Sequence, residues 1–216
     1  MDIAILLYDR MTALDAIGPY EVLGRVPGAT IAYVAPEPGT KRTDQNLGLV
    51  ADTPLTDAAH PDIVVVPGGP GETAVSQDER VLEWLRTAHE TTTWTTSVCT
   101  GSLVLGAAGL LDGKRATSHW LALDQLRKYG AEPTLDRVVI EGKIITAAGV
   151  SAGIDMGLTL AARLAGDEVA QTIQLGIEYD PQPPFDAGSP TKAPQFSVDF
   201  LRDQSRFILT GESASS

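Results

Sequence analysis

One stretch decides most of what this chain can become: Thr95-Thr96-Ser97-Val98-Cys99-Thr100-Gly101-Ser102-Leu103-Val104-Leu105-Gly106-Ala107-Ala108, where a β-rich run gives way to helical spacing at the only cysteine. The change of period predicts that Cys99 stands on the turn between a strand and a helix. Such a turn lifts its side chain above the sheet edge, faced by unpaired helix N–H groups and the positive end of the dipole, so the thiol is expected to ionise easily. Gly101 suits a turn this tight, and the pattern is that of a nucleophile elbow. A free cysteine also packs well as a small buried hydrophobe; it is the turn, not the thiol, that singles Cys99 out.

The rest of the chain alternates strands and helices. Ile3–Leu7 is a continuous apolar run, as expected for a central strand covered on both faces. Thr12 follows as the cap of a helix carrying Leu14, Ile17, Val22 and Leu23, with Asp15 placed for a capping box and Pro19 predicting a kink near Gly18. Thr30–Ala35 reads as a second strand, Pro36–Gly39 as a loop and Asn46–Ala51 as a short hairpin. Ile63–Val66 is β-branched and runs straight into Pro67-Gly68-Gly69-Pro70-Gly71. That loop lacks the Lys-Ser/Thr and the spacing of phosphate- and dinucleotide-binding motifs, yet its glycines let backbone N–H groups approach a ligand. Asp78–Glu90 has helical spacing, giving a right-handed strand-helix-strand crossover into the Cys99 strand.

Further on, Leu111-Asp112-Gly113 marks a turn and Leu121–Tyr129 a helix stopped by Gly130. Val138–Ile140 and Ile144–Thr146 form a hairpin around Glu141-Gly142-Lys143. Ala152–Leu164 and Glu168–Ile177 read as two helices. Tyr179–Pro194 holds five prolines, too many for a helix, and is expected to lie on the surface as an extended arm over about 179–194. Phe196–Leu209 reads as a last helix, and 211–216 as a frayed tail. Together these predict one domain over 1–216 with a doubly wound α/β fold, a mostly parallel sheet with helices on both faces, flavodoxin-like in layout. Ligands of such folds sit beyond the carboxyl ends of the strands. Asp15, Gly69 and Cys99 each follow one of those ends, so one crevice should hold all three.

A net charge of −12 argues against nucleic acid as a partner. A single cysteine forms no internal disulfide and nothing resembling a signal stretch stands before Met1-Asp2-Ile3, so a cytoplasmic setting is expected. No apolar run approaches the ~20 residues that cross a membrane. His60, His89, His119 and Cys99 show no ligand spacing, so no metal is expected.

Four segments resemble the ThiJ/PfpI superfamily, relatives of the class I glutamine amidotransferases: Leu14–Pro19, Val66–Gly71, Ser97–Gly101 and Ala108–Trp120. The resemblance covers nearly the whole chain. In the protease-like branch a histidine follows the nucleophile, whereas Thr100 stands here; many relatives carry a glutamate on the first helix, whereas this chain has Asp15. The set Asp15, Cys99, Thr100 is similar to the branch that hydrates isocyanides to N-substituted formamides, a hydro-lyase chemistry. The resemblance implies Cys99 as nucleophile, Asp15 as proton donor and acceptor, N–H groups of Gly69 and Thr100 as charge stabilisers, no cofactor, and a homodimer. His119 lies near the thiol in some relatives, and it reads here as a packing residue, with Trp120 in core or interface. Two other branches remain open: ligand-sensing domains of regulators of the AraC type, for which the chain after Phe196 is too short to hold two DNA-reading helices, and glyoxalase or deglycase-like enzymes, which a histidine poised on Cys99 would favour.

Overall fold

The apolar runs form the centre of one sheet. A computed structural model describes residues 1–207, with strands β1 (Asp2–Leu6), β2 (Thr30–Ala35), β3 (Gly39–Arg42), β4 (Gly48–Ala51), β5 (Thr53–Pro54), β6 (Ile63–Val66), β7 (Trp94–Val98), β8 (Arg115–Ala116), β9 (Glu132–Pro133), β10 (Val138–Glu141) and β11 (Ile144–Ala147). Seven of these make the main sheet in the order β10-β11-β7-β6-β1-β2-β5. Every neighbouring pair is parallel except the β10–β11 hairpin. All four residues of β6 are buried, as a strand covered on both faces requires.

The helices are α1 (Ala13–Leu23), α2 (Glu72–Val75), α3 (Glu79–Thr91), α4 (Gly101–Ala107), α5 (Ala152–Ala165), α6 (Asp167–Gly176) and α7 (Gln195–Asp203). Helix α1 packs on α5 and α5 on α6, enclosing a small core of Val22, Val26, Ala161, Ala170 and Ile173. Helix α4 contacts both α2 and α3, and the larger core runs from Ile3 to Leu160. The doubly wound, mostly parallel arrangement matches the fold class expected from the alternation of elements.

Several local expectations change. Helix α1 is helical through Pro19, whose ring lies against Gly153, where a side chain would crowd it. Asp15 does not close a capping box: the Thr12 N–H is bonded to Gly68 O at 2.9 Å and its hydroxyl donates to Asp44 at 2.9 Å. The hairpin before β5 begins at Gly39, because Gly-Thr-Lys-Arg carries no apolar signal and owes its strand form to pairing with Gly48–Ala51. Leu123–Tyr129 is 3-10 rather than α-helical, although Gly130 ends it in the left-handed region, φ 73°. Tyr179–Pro194 has no helix or strand and is largely exposed, as expected of the arm. The last helix ends at Asp203; its expected extension to Leu209 and the tail 211–216 fall beyond the described residues.

Four adjacent strand ends face one another on the carboxyl edge. β1 leads to α1 and Asp15, β6 to the glycine loop, β7 to Cys99, and β11 to Ala148–Val150. This order brings Asp15, the glycine loop and Cys99 together.

Candidate active site

Cys99 sits one residue past β7 with φ 58°, in the left-handed region, and is 5 % exposed. A non-glycine residue held there costs on the order of 1–3 kcal/mol and persists only when its surroundings enforce it. They do: its N–H is bonded to Ala147 O at 3.1 Å and Ala148 O at 3.0 Å. Its carbonyl oxygen accepts from Ser102 Oγ at 3.1 Å and Ser118 Oγ at 3.0 Å. At Gly101 any Cβ would collide with the carbonyl of Val66, so the elbow admits no larger residue.

Asp15 is fully buried. Its Oδ2 accepts the Gly68 N–H at 2.9 Å, while Oδ1 has no conventional partner. The Cys99 thiol hydrogen-bonds to this carboxyl, and the charge of Asp44 also acts on it. Burial pushes Asp15 up to about 7, against the pull of the Gly68 N–H and the thiol. Burial likewise pushes Cys99 well above the usual thiol range, and the charge of Asp15 adds to it. The N–H groups of Val150 and Thr100 act on the sulfur in the opposite sense. The elbow therefore does not deliver the easily ionised thiol expected from its position: the dipole of the short α4 is outweighed by desolvation and a neighbouring acid. Near neutrality the thiol keeps its proton, and Asp15 stands between its two protonation states.

Thr100 and Gly69 are bonded to each other. The Gly69 N–H donates to Thr100 Oγ1 at 2.9 Å, and that hydroxyl lies 3.4 Å from Gly69 O. The donor expected to stabilise substrate charge is thus already engaged, and the Thr100 hydroxyl fixes the glycine loop to the elbow. Gly69 needs its φ of 129° here, since a Cβ would strike the backbone of Met11 and Thr12.

Sequence reasoning missed the groups that hold this loop from outside. Arg206 donates to Pro70 O at 2.6 Å, Gly69 O at 3.2 Å, Thr73 Oγ1 at 2.9 Å and Glu72 Oε2 at 3.0 Å. Glu72 is buried and also accepts from Ser76 Oγ at 3.0 Å. The buried Tyr8 donates to Pro67 O at 2.7 Å. Val150 was missed too; it is a β-branched residue with φ 37°, a strained conformation that aims its N–H at the sulfur.

His119 is near the elbow without acting on it. Its Nδ1 accepts the Leu121 N–H at 3.3 Å, burial lowers its pKa, and it is not among the groups that perturb Cys99. Trp120 is half-buried and lines a cavity with His119. Among the described residues no group of three His, Cys, Asp or Glu side chains is placed to hold a metal.

The chain belongs to the DJ-1/PfpI family, whose sequence model matches residues 1–163. It is 45 % identical over 202 residues to the isonitrile hydratase of Pseudomonas putida, covering 94 % of this chain and 89 % of that protein. A crystal structure of a ThiJ/PfpI family protein from Pseudomonas syringae superposes with a TM-score of 0.92 at 40 % identity, covering 94 % of this chain and 85 % of that one. The glutathione-independent glyoxalase of Caenorhabditis elegans is 26 % identical over 148 residues, 68 % of this chain and 79 % of that protein.

Proposed function

We propose that this member of the DJ-1/PfpI family is an isocyanide hydratase, a hydro-lyase that converts an isocyanide to its N-substituted formamide. The observation that carries the reading is the elbow cysteine set beside a fully buried carboxyl that takes one N–H from Gly68 and has an oxygen without a conventional partner. The identity to the Pseudomonas putida isonitrile hydratase over nearly the full length supports it. The glyoxalase alternative would need a histidine poised on the thiol, and His119 is turned to the Leu121 backbone instead.

An isocyanide's terminal carbon must gain both a nucleophile and a proton. Asp15 as carboxylate takes the proton of Cys99 as the sulfur attacks that carbon, then hands the proton to the same carbon. The product is a thioimidate in which the carbon bears sulfur, hydrogen and a double bond to nitrogen. Asp15, again a carboxylate, deprotonates water as its oxygen adds to the carbon, and passes that proton to the nitrogen. Collapse of the adduct forms the carbonyl and breaks the C–S bond, with the hydroxyl proton taken up by Asp15 and handed to the departing sulfur. The N–H groups of Val150 and Thr100 favour the charge that sulfur carries on attack and on departure, while the Thr100 hydroxyl keeps the loop that holds Asp15 in register.

The working unit is read as a homodimer in the cytoplasm. Helix α7 exposes Phe196 and Phe200, an apolar face suited to a second copy, and no helix of the described residues is long and apolar enough to cross a membrane. The deciding experiment follows loss of the isocyanide infrared band and appearance of formamide with purified protein. Turnover that is absent in Cys99→Ala supports the reading; a wild-type protein inert toward alkyl and aryl isocyanides refutes it.

A further inference from the structure

Beside the elbow lies a cavity of about 420 Å³, within the range of small-molecule sites. Three of its wall residues also touch Cys99: Ala148 accepts the Cys99 N–H, Ser118 binds its carbonyl oxygen, and Val150 directs an N–H at its sulfur. Away from the elbow, Trp120, Leu123 and Leu135 supply apolar wall, and Gly188–Thr191 of the arm closes one side. We propose that this cavity receives the substituent on the isocyanide nitrogen, and that it selects uncharged apolar, above all aromatic, substituents.

The geometry follows from the reaction. The isocyanide carbon is terminal, so once it reaches the sulfur the substituent must extend away from Cys99, and this cavity carries on its wall three residues that touch Cys99. The selectivity follows from charge. Arg137 is the only acid or base besides His119 on the described wall, and it is committed: its Nε and Nη2 approach Asp155 Oδ2 at 2.7 Å and 2.6 Å, and Nη2 also reaches Ser151 at 3.2 Å. Tyr179 donates to the same carboxylate. A charged substituent of either sign would enter with no unpaired counter-charge on the described wall to meet it. A second cavity of about 430 Å³ opens at Asp2 and Thr30, the amino ends of β1 and β2, and borders no nucleophile.

This inference rests on the hydratase reading, and the test separates the two. Phenyl isocyanide and 4-isocyanobenzoate are compared as substrates of the full chain, wild type and Trp120→Ala. We expect kcat/KM for the benzoate to fall about 100-fold below that for the phenyl compound, and Trp120→Ala to raise KM for the phenyl compound by about 10–200-fold with kcat little changed, the range for losing pocket contact. Iodoacetamide, too small to need the cavity, should alkylate Cys99 at the same rate in both proteins, which establishes an intact elbow. Equal kcat/KM for the two substrates, or an unmoved KM in Trp120→Ala, overturns the assignment. If wild type turns over neither compound, the hydratase reading fails; calorimetric binding of N-phenylformamide, present in wild type and lost in Trp120→Ala, then supports the cavity on its own, and binding equal in both refutes it.

Discussion

Two buried carboxyls stand on either side of the same glycine loop, and they are treated in opposite ways. Glu72 is held by Arg206, Ser76 and Thr73; Asp15 has one N–H from Gly68 and an oxygen without a conventional partner. Burial raises both. Only at Glu72 do a cation and two hydroxyls draw it back. A carboxyl that must remain charged and fixed is surrounded by donors, whereas one that must gain and lose a proton during a reaction is left short of them. The comparison is a claim about chemistry, and it can be broken by exchanging what each acid lacks.

The largest expected effect is on turnover. Asp15→Asn keeps the size and the Gly68 contact but cannot move a proton, so isocyanide turnover should fall about 10²–10⁴-fold, while Glu72→Gln should retain most of its kcat. A spectrophotometric assay of both variants decides this; equal losses would erase the distinction between the two acids.

Next in size is the effect on stability, where the order reverses. Asp15 has a folded value of about 7 against 3.8, so the folded state binds the extra proton between those limits, and stability falls as pH rises from about 4 to 7. Asp15→Asn should remove that slope and melt higher than wild type at pH 8, by up to a few kcal/mol of stability. Arg206→Ala leaves Glu72 buried without its cation and should cost about 1–3 kcal/mol, a range kept low because the arginine is partly exposed. Melting temperatures from pH 4.5 to 8 test both signs.

A smaller effect sharpens the contrast at the sulfur. The charge of Asp15 helps to hold Cys99 protonated, so Asp15→Asn should speed alkylation by iodoacetamide at pH 8, by up to about tenfold for one pH unit of relief, in the same variant that has lost turnover. Slower alkylation would mean that Asp15 assists ionisation at rest.

The smallest is Thr100→Val. It leaves the Gly69 N–H without its acceptor, for about 1–3 kcal/mol of stability and a modest loss of rate. A drop as large as that of Asp15→Asn would make the hydroxyl a participant in the chemistry and not a support.

What was legible beforehand was whatever acts over a few residues. The apolar run of β6, the change of period at Cys99 and the glycines at 68, 69 and 71 each carry a local cause, and they placed these strand ends side by side. Hidden were effects of distance and of burial. Arg206 meets Thr73 across 133 positions, with no pattern at either end. Val150 contributes a backbone N–H, which every residue but proline has. The ionisation of Cys99 was misjudged because a helix terminus is visible in sequence, while the dryness that overrules it belongs to the assembled core. Leu123–Tyr129 has helical spacing in either form, and its tighter winding leaves no mark on composition.

The clamp at Arg206 also orders events in time. A ribosome finishes the sheet residues, the elbow and Asp15 long before it reaches residue 206, so a nascent chain can hold every reacting group while the loop between them is still untied on its outer side. Folding of the sheet and the onset of activity are therefore separable steps in biosynthesis: a chain stalled before Arg206 should already have its central strands, and should begin to turn over substrate efficiently only after this late arginine is delivered.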